Sequence, residues 1–172
     1  MQVSQAVKEL TEDVVRFRRE LHTIPELGLT EFKTKEYLLR QLQSFGIKEI
    51  YPVIETGLIA VFRSDRPGKT LAFRTDIDAL PIKEETGVSF VSKHEGKMHA
   101  CGHDGHMATM LGFAKYLATH PEVIRGTIVL IFQPAEESPG GAQLMIDEGI
   151  LRDFGVEKIV GLHVFPDFPE GI

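Results

Sequence analysis

Within eight positions the segment His99-Ala100-Cys101-Gly102-His103-Asp104-Gly105-His106 gathers the chain's one cysteine, three of its seven histidines and an aspartate. Thiolate and imidazole are the donors that Zn²⁺ and similar transition ions prefer, and Cys101 and His103, one residue apart, can reach a single centre. A structural zinc site wants four protein ligands, often two cysteine pairs. One cysteine that must recruit histidine and carboxylate from distant segments fits an open, catalytic site better.

Further segments supply such partners. Phe132-Gln133-Pro134-Ala135-Glu136-Glu137 places two adjacent carboxylates after an apolar run. Such a pair can divide its work, one acid binding metal while the other moves a proton to and from the attacking water. Arg74-Thr75-Asp76-Ile77-Asp78 offers acids able to hydrogen-bond a metal-bound imidazole, although Asp78 could equally cap the loop that follows. Arg74 either pairs with one of these acids or holds a substrate carboxylate. His163 is a third convergent donor, while His99, Asp104 and His106 read as supporting residues. His22, His94 and His120 have no pattern around them and read as surface or structural.

The elements that must position these residues follow from periodicity. Apolar residues at 7, 10, 14, 17 and 21 predict a helix over 7–21, and those at 32, 37, 38, 42 and 45 predict another that stops at Gly46. Runs at 47–54, 58–63 and 70–75 predict strands, the last two as neighbours in a hairpin through Ser64-Asp65-Arg66-Pro67-Gly68-Lys69. Beyond them come a helix over 104–119, a buried central strand over 127–132, a helix over 142–151 and a strand over 158–163. The alternation predicts an α/β layered domain whose functional residues gather at the carboxyl ends of strands, so that Arg74–Asp78, Gln133–Glu137 and His163 converge on one crevice.

A chain of 172 residues, 42% hydrophobic, suffices for one domain. The net charge of −6 argues against a nucleic-acid partner and for a small-molecule substrate. A single cysteine forms no internal disulfide, the N-terminus lacks the pattern of a signal peptide, and no apolar stretch is long enough for a membrane span. Cytoplasmic location is the expectation.

In their order, Arg74-Thr75-Asp76-Ile77-Asp78-Ala79-Leu80-Pro81, His99-Ala100-Cys101-Gly102-His103-Asp104, Phe132-Gln133-Pro134-Ala135-Glu136-Glu137 and Gly161-Leu162-His163 resemble the M20 metallopeptidase family. They are most similar to its amidohydrolase branch of hippurate hydrolases, N-acyl-amino-acid amidohydrolases and N-acetyl-diaminopimelate deacetylases. The opening Arg19–Gly28 segment is similar as well. The resemblance implies a three-layer αβα zinc-peptidase-like domain with a central mixed sheet, and hydrolysis of the amide of N-acyl amino acids at a centre of two divalent ions, Mn²⁺, Zn²⁺, Co²⁺ or Ni²⁺. It implies Cys101, His103, Glu137 and His163 as ligands and Glu136 as the general base, and it leaves Arg74 outside the ligand set. Members of this kind are about twice as long. Residues 1–172 are therefore expected to be the N-terminal part of the catalytic domain, without a lid or dimerisation domain and a last ligand, and inactive alone; the full-length form is expected to dimerise. The broad N-acyl-amino-acid activity is placed first, N-acetyl-diaminopimelate deacetylation second, and a truncated metal-binding or interaction module third.

Overall fold

The computed structural model describes residues 3–168. Five strands, β1 (Ile50–Val53), β2 (Gly57–Arg63), β3 (Thr70–Asp76), β4 (Thr127–Gln133) and β5 (Lys158–Gly161), form one sheet in the order β1-β2-β4-β3-β5. β1, β2 and β4 pair antiparallel, and β4, β3 and β5 pair parallel, which makes the sheet mixed. Helices α2 (Thr11–His22), α3 (Phe32–Ser44) and α4 (His103–Thr119) cover one face; α5 (Gly141–Asp147) and α6 (Ile150–Asp153) cover the other.

The period-two alternation of strands sorts side chains between these layers. Leu58, Ala60, Leu130 and Phe132 point to the core with Phe17, Leu21, Leu38, Leu42, Met107 and Leu111, whereas Ile59, Val61, Val129 and Ile131 meet Met145 and Ile150. Because β4 is buried on both faces, it reads as a continuous apolar run. Cutting Leu130 back to alanine there costs roughly 2–5 kcal/mol.

Three expectations about neighbouring elements need correction. β2 and β3 do not form a hairpin: β4 lies between them, antiparallel to one and parallel to the other. The connection passes over the start of β4, tied by Ser64 N–H to Gly126 O, Gly126 N–H to Arg66 O and Thr127 N–H to Lys69 O. A Cβ at Gly126 would lie 2.4 Å from Lys69 O, so the crossing requires glycine. The most apolar strand takes the centre, and proximity in sequence yields to burial. Likewise 7–21 is two helices, α1 (Gln5–Lys8) and α2, separated at Glu9-Leu10, and 142–151 is divided between α5 and α6 at Glu148-Gly149. The turns preserve the apolar phase that made each look continuous.

The strand expected over 158–163 ends at Gly161. All four residues of β5 are exposed, and among the described residues its outer edge is unpaired. No described helix is long and apolar enough to cross a membrane.

Candidate metal centre

β3, β4 and β5 run parallel, so their carboxyl ends open at one edge of the sheet. The N-terminus of α4 begins at the same edge. Asp76 closes β3, Gln133 closes β4 and leads to Glu136-Glu137, His163 follows β5, and His103 opens α4. Gly102, at φ +99°, makes the turn that sets Cys101 and His103 on either side of it. A Cβ on that glycine would lie 2.7 Å from Val164 Cγ2, so the turn is seated directly against the segment carrying His163.

Hydrogen bonds define which ring nitrogen of each histidine is free. His103 is buried, and its Nδ1–H donates to the Asp78 carbonyl at 2.9 Å, which leaves the lone pair on Nε2. That Nε2 has no hydrogen-bond partner, and Glu137 Oε1 lies 3.7 Å from it and Glu136 Oε2 4.0 Å. His163 Nδ1–H donates to Val164 O at 2.6 Å, so its Nε2 also presents a lone pair, 3.3 Å from Cys101 Sγ. Donor atoms of Cys101, His103 and Glu137 lie within 4.8 Å of one another.

His106 differs. The Val164 amide donates to its Nε2 at 3.0 Å and its Nδ1–H donates to Asp76 Oδ1 at 2.7 Å, so both nitrogens are engaged. It also belongs by distance to a group with Asp76, His103 and His163, but its bonds make it the post that fastens the His163 segment to α4. Asp76 is fully buried and pairs through Oδ2 with Arg74 Nη1 at 3.0 Å, while Arg74 Nε donates to Gln133 Oε1. Of the two roles open to Arg74 from sequence, pairing with an acid is the one observed. Asp78 accepts from His103 through its carbonyl and from the Glu137 amide through Oδ2 at 3.0 Å, joining α4 to the two-glutamate loop.

A cation fits this environment on three counts. His103 Nε2 and Asp78 Oδ1 are buried polar atoms without hydrogen-bond partners. Although burial opposes charging His103, its bond to Asp78 and the charges of Asp76 and Asp78 outweigh that and raise its pKa. Burial, then Glu137 and the other nearby acids, push the Cys101 thiol up to about 12. The site is thus rich in negative charge, which a divalent ion would neutralise while ionising the thiol.

A model of the M20/M25/M40 peptidase family matches residues 72–172, which include the strand-end acids, Cys101, His103, Glu136, Glu137 and His163. The chain belongs to the M20 peptidase family. Among its M20 relatives are N-acetyldiaminopimelate deacetylases from Geobacillus sp. (strain WCH70), 46% identical over 158 residues, and Bacillus subtilis (strain 168), 44% identical over 161 residues. These alignments cover 91% and 93% of the chain but 42% of each relative, so the chain spans about two-fifths of their length. Among solved structures, a dinuclear metal-binding M20 peptidase from Bacillus subtilis, YXEP, superposes with a TM-score of 0.88 at 41% identity, over 94% of this chain and 45% of that one. An aminobenzoyl-glutamate utilization protein from Klebsiella pneumoniae superposes at 0.75 with 26% identity, over 98% of this chain and 47% of that one. The fold is that of the M20 catalytic domain.

Three supports of this candidate centre had no part in the site read from the sequence. Glu31, buried, accepts the Ala135 amide at 2.9 Å and the Thr56 hydroxyl at 2.6 Å, holding the chain where Ala135 takes φ +51° just before Glu136. Glu26 binds the start of α3 through Thr34. His22, read as surface or structural, is buried with Nδ1 2.6 Å from Asp104 Oδ2 and Nε2 3.1 Å from Glu84 Oε1. The motif around Pro25-Glu26 was the available signal for the glutamates; nothing local marks the partner of His22, 82 residues away.

Proposed function

We propose that the protein of which this chain forms the metal-holding edge hydrolyses the amide bond of an N-acyl amino acid, with Cys101, His103, Glu137 and His163 holding two divalent ions and Glu136 moving the proton. The observation that carries this reading is the set of lone pairs on His103 Nε2 and His163 Nε2, aimed toward Cys101 Sγ and Glu137 with Glu136 beside them. When bound, such ions polarise an amide carbonyl and make water acidic enough to lose a proton near neutral pH.

The chain's own residues do the rest. The Asp78 and Val164 carbonyls hold the two imidazoles in the tautomer that presents Nε2. Glu137 is anchored through its amide to Asp78, whereas the Glu136 carboxylate is 40% exposed and has no ion pair with lysine or arginine among the described residues. Glu136 can therefore take a proton from water and deliver it to the amide nitrogen as the carbon–nitrogen bond breaks and the carbon–oxygen bond forms, yielding acid and free amine.

For the substrate, the names of the relatives support N-acetyldiaminopimelate over the broader range of acyl amino acids that was placed first from sequence. The mixed sulfur, nitrogen and oxygen donor set suits Zn²⁺, Mn²⁺, Co²⁺ or Ni²⁺, and a reducing compartment would preserve Cys101.

The test uses the complete gene product. Glu136→Gln should lower turnover of N-acetyldiaminopimelate by about 10²–10⁴-fold while metal content by mass spectrometry stays constant. Loss of metal would exchange the roles of Glu136 and Glu137, and absence of amine release by the unmodified protein would overturn the function.

A further inference from the structure

A cavity of about 440 Å³ opens beside the metal centre, lined by Cys101 and Gly102 and also by Arg18 and Phe90. Its walls are mainly apolar, from Val88, Met98 and Phe165. Of this lining the mechanism above uses Cys101 and the Val164 carbonyl, and neither Arg18 nor Phe90.

Arg18 is the distinctive group there. Its Nε lies 2.9 Å from Asp104 Oδ2, and its guanidinium carbon stands 5.0 Å from the centre of the Phe90 ring. These contacts hold a planar, always-charged fork in one orientation. Asp104 is the one carboxylate paired with Arg18 among the described residues, and it is already engaged by His22 at 2.6 Å. Glu84, the other acid nearby, is turned onto His22 and the Ser92 amide. The side chain of Arg18 remains 40% exposed, at the cavity wall. A fixed guanidinium with spare donors at the end of an apolar cavity is a receptor for a carboxylate on an aliphatic stem.

We propose that Arg18 is a specificity-determining residue that binds a second carboxylate of the substrate, remote from the scissile amide, while the intervening methylenes lie along the wall formed by Met98, Phe90 and Phe165. This rests on the functional reading above and sharpens it: the preferred substrate is an N-acylated amino diacid, as diaminopimelate is. An acetyl group alone would leave most of the cavity unfilled, so it is the amino-acid arm that enters.

Nα-acetyl-lysine is N-acetyldiaminopimelate without the far carboxylate, so the pair isolates this contact. The complete gene product, loaded with metal, should show a kcat/KM for N-acetyldiaminopimelate about tenfold to a hundredfold above that for Nα-acetyl-lysine, from the charge-assisted bond. Arg18→Gln should collapse that ratio toward one, chiefly through KM of the diacid, and Arg18→Lys should restore part of it. Because the readout is a ratio within one variant, damage to Asp104 positioning cancels. An unmodified enzyme that hydrolyses both substrates without preference, or an Arg18→Gln variant that keeps the original ratio, would overturn the assignment and leave the amidohydrolase reading intact. Hydrolysis of neither substrate would overturn that reading and this one with it.

Discussion

The two walls of the candidate metal centre are built differently. The wall formed by the ends of β3 and β4 and the start of α4 is buried, and Asp76, Asp78, His103 and His106 are each less than 3% exposed. His103 and His106 are held by hydrogen bonds to the buried Asp78 and Asp76, and those acids by the Glu137 amide and Arg74. The wall formed by β5 and His163 is open: Ile159, Val160, Leu162, Val164 and Phe165 are each more than half exposed. Apart from pairing with β3, it is fastened by the Val164 amide on His106 and by the approach of His163 to Cys101. Hydrogen bonds among several strands and α4 thus organise one side of the site, while the other depends on a few contacts at the edge of the sheet.

Three measurements bear on this contrast. The largest effect is expected in amide hydrogen exchange, where the metal-free chain should exchange β5 amides at least about 10²-fold faster than those of β4. Equal protection would mean that the open wall is as cooperative as the buried one. Next is stability without metal. His103→Ala removes the donor to the buried Asp78 carbonyl and should cost about 1–3 kcal/mol in a urea titration, whereas His163→Ala should stay within about 0.5 kcal/mol. A reversed order would show that His163 is structural.

The smallest effect is on pH dependence. The hydrogen bond to Asp104 raises the pKa of His22 against the opposing effect of burial, with Glu84 adding to the rise. Its stabilisation is therefore complete below the ordinary value of 6.5 and is lost as pH climbs through the elevated folded one. For Asp104, burial is outweighed by the His22 bond and neighbouring positive charges, so its pKa is lowered; that contribution is present above 3.8 and fades as pH falls through the folded value. Replacing His22 with glutamine should flatten the decline in melting temperature on the alkaline side. An unchanged slope there would mean that His22 is neutral in the fold, and would detach it from the Arg18–Asp104 cluster.

The legibility of the molecule in its sequence followed the range of the interactions. α4 and β4 announced themselves because periodicity and a run of apolar residues are local properties, and they locate the buried wall. Cys101, His103, Glu136, Glu137 and His163 were readable as chemistry-bearing types at the edges of such elements. The place of β4 between β2 and β3 was not readable, because the short Ser64–Lys69 link favours a hairpin until the burial of a third strand is weighed. The pairing of His22 with Asp104, the grip of Glu31 on Ala135 and the stacking of Arg18 on Phe90 join residues far apart in sequence, and no local pattern encodes them. Arg74 was open between two roles until its bonds to Asp76 and Gln133 were seen.

Gly102 gives the contrast a length. A Cβ there would stand 2.7 Å from a methyl of Val164, so the two walls meet at a residue without a side chain. An alanine there would change no donor, yet it would be strained by the left-handed φ of +99° and would press on the Val164 side chain in the segment that carries His163. The approach of the His163 segment to Cys101 is therefore under steric as well as polar control, exerted at the smallest residue of the motif.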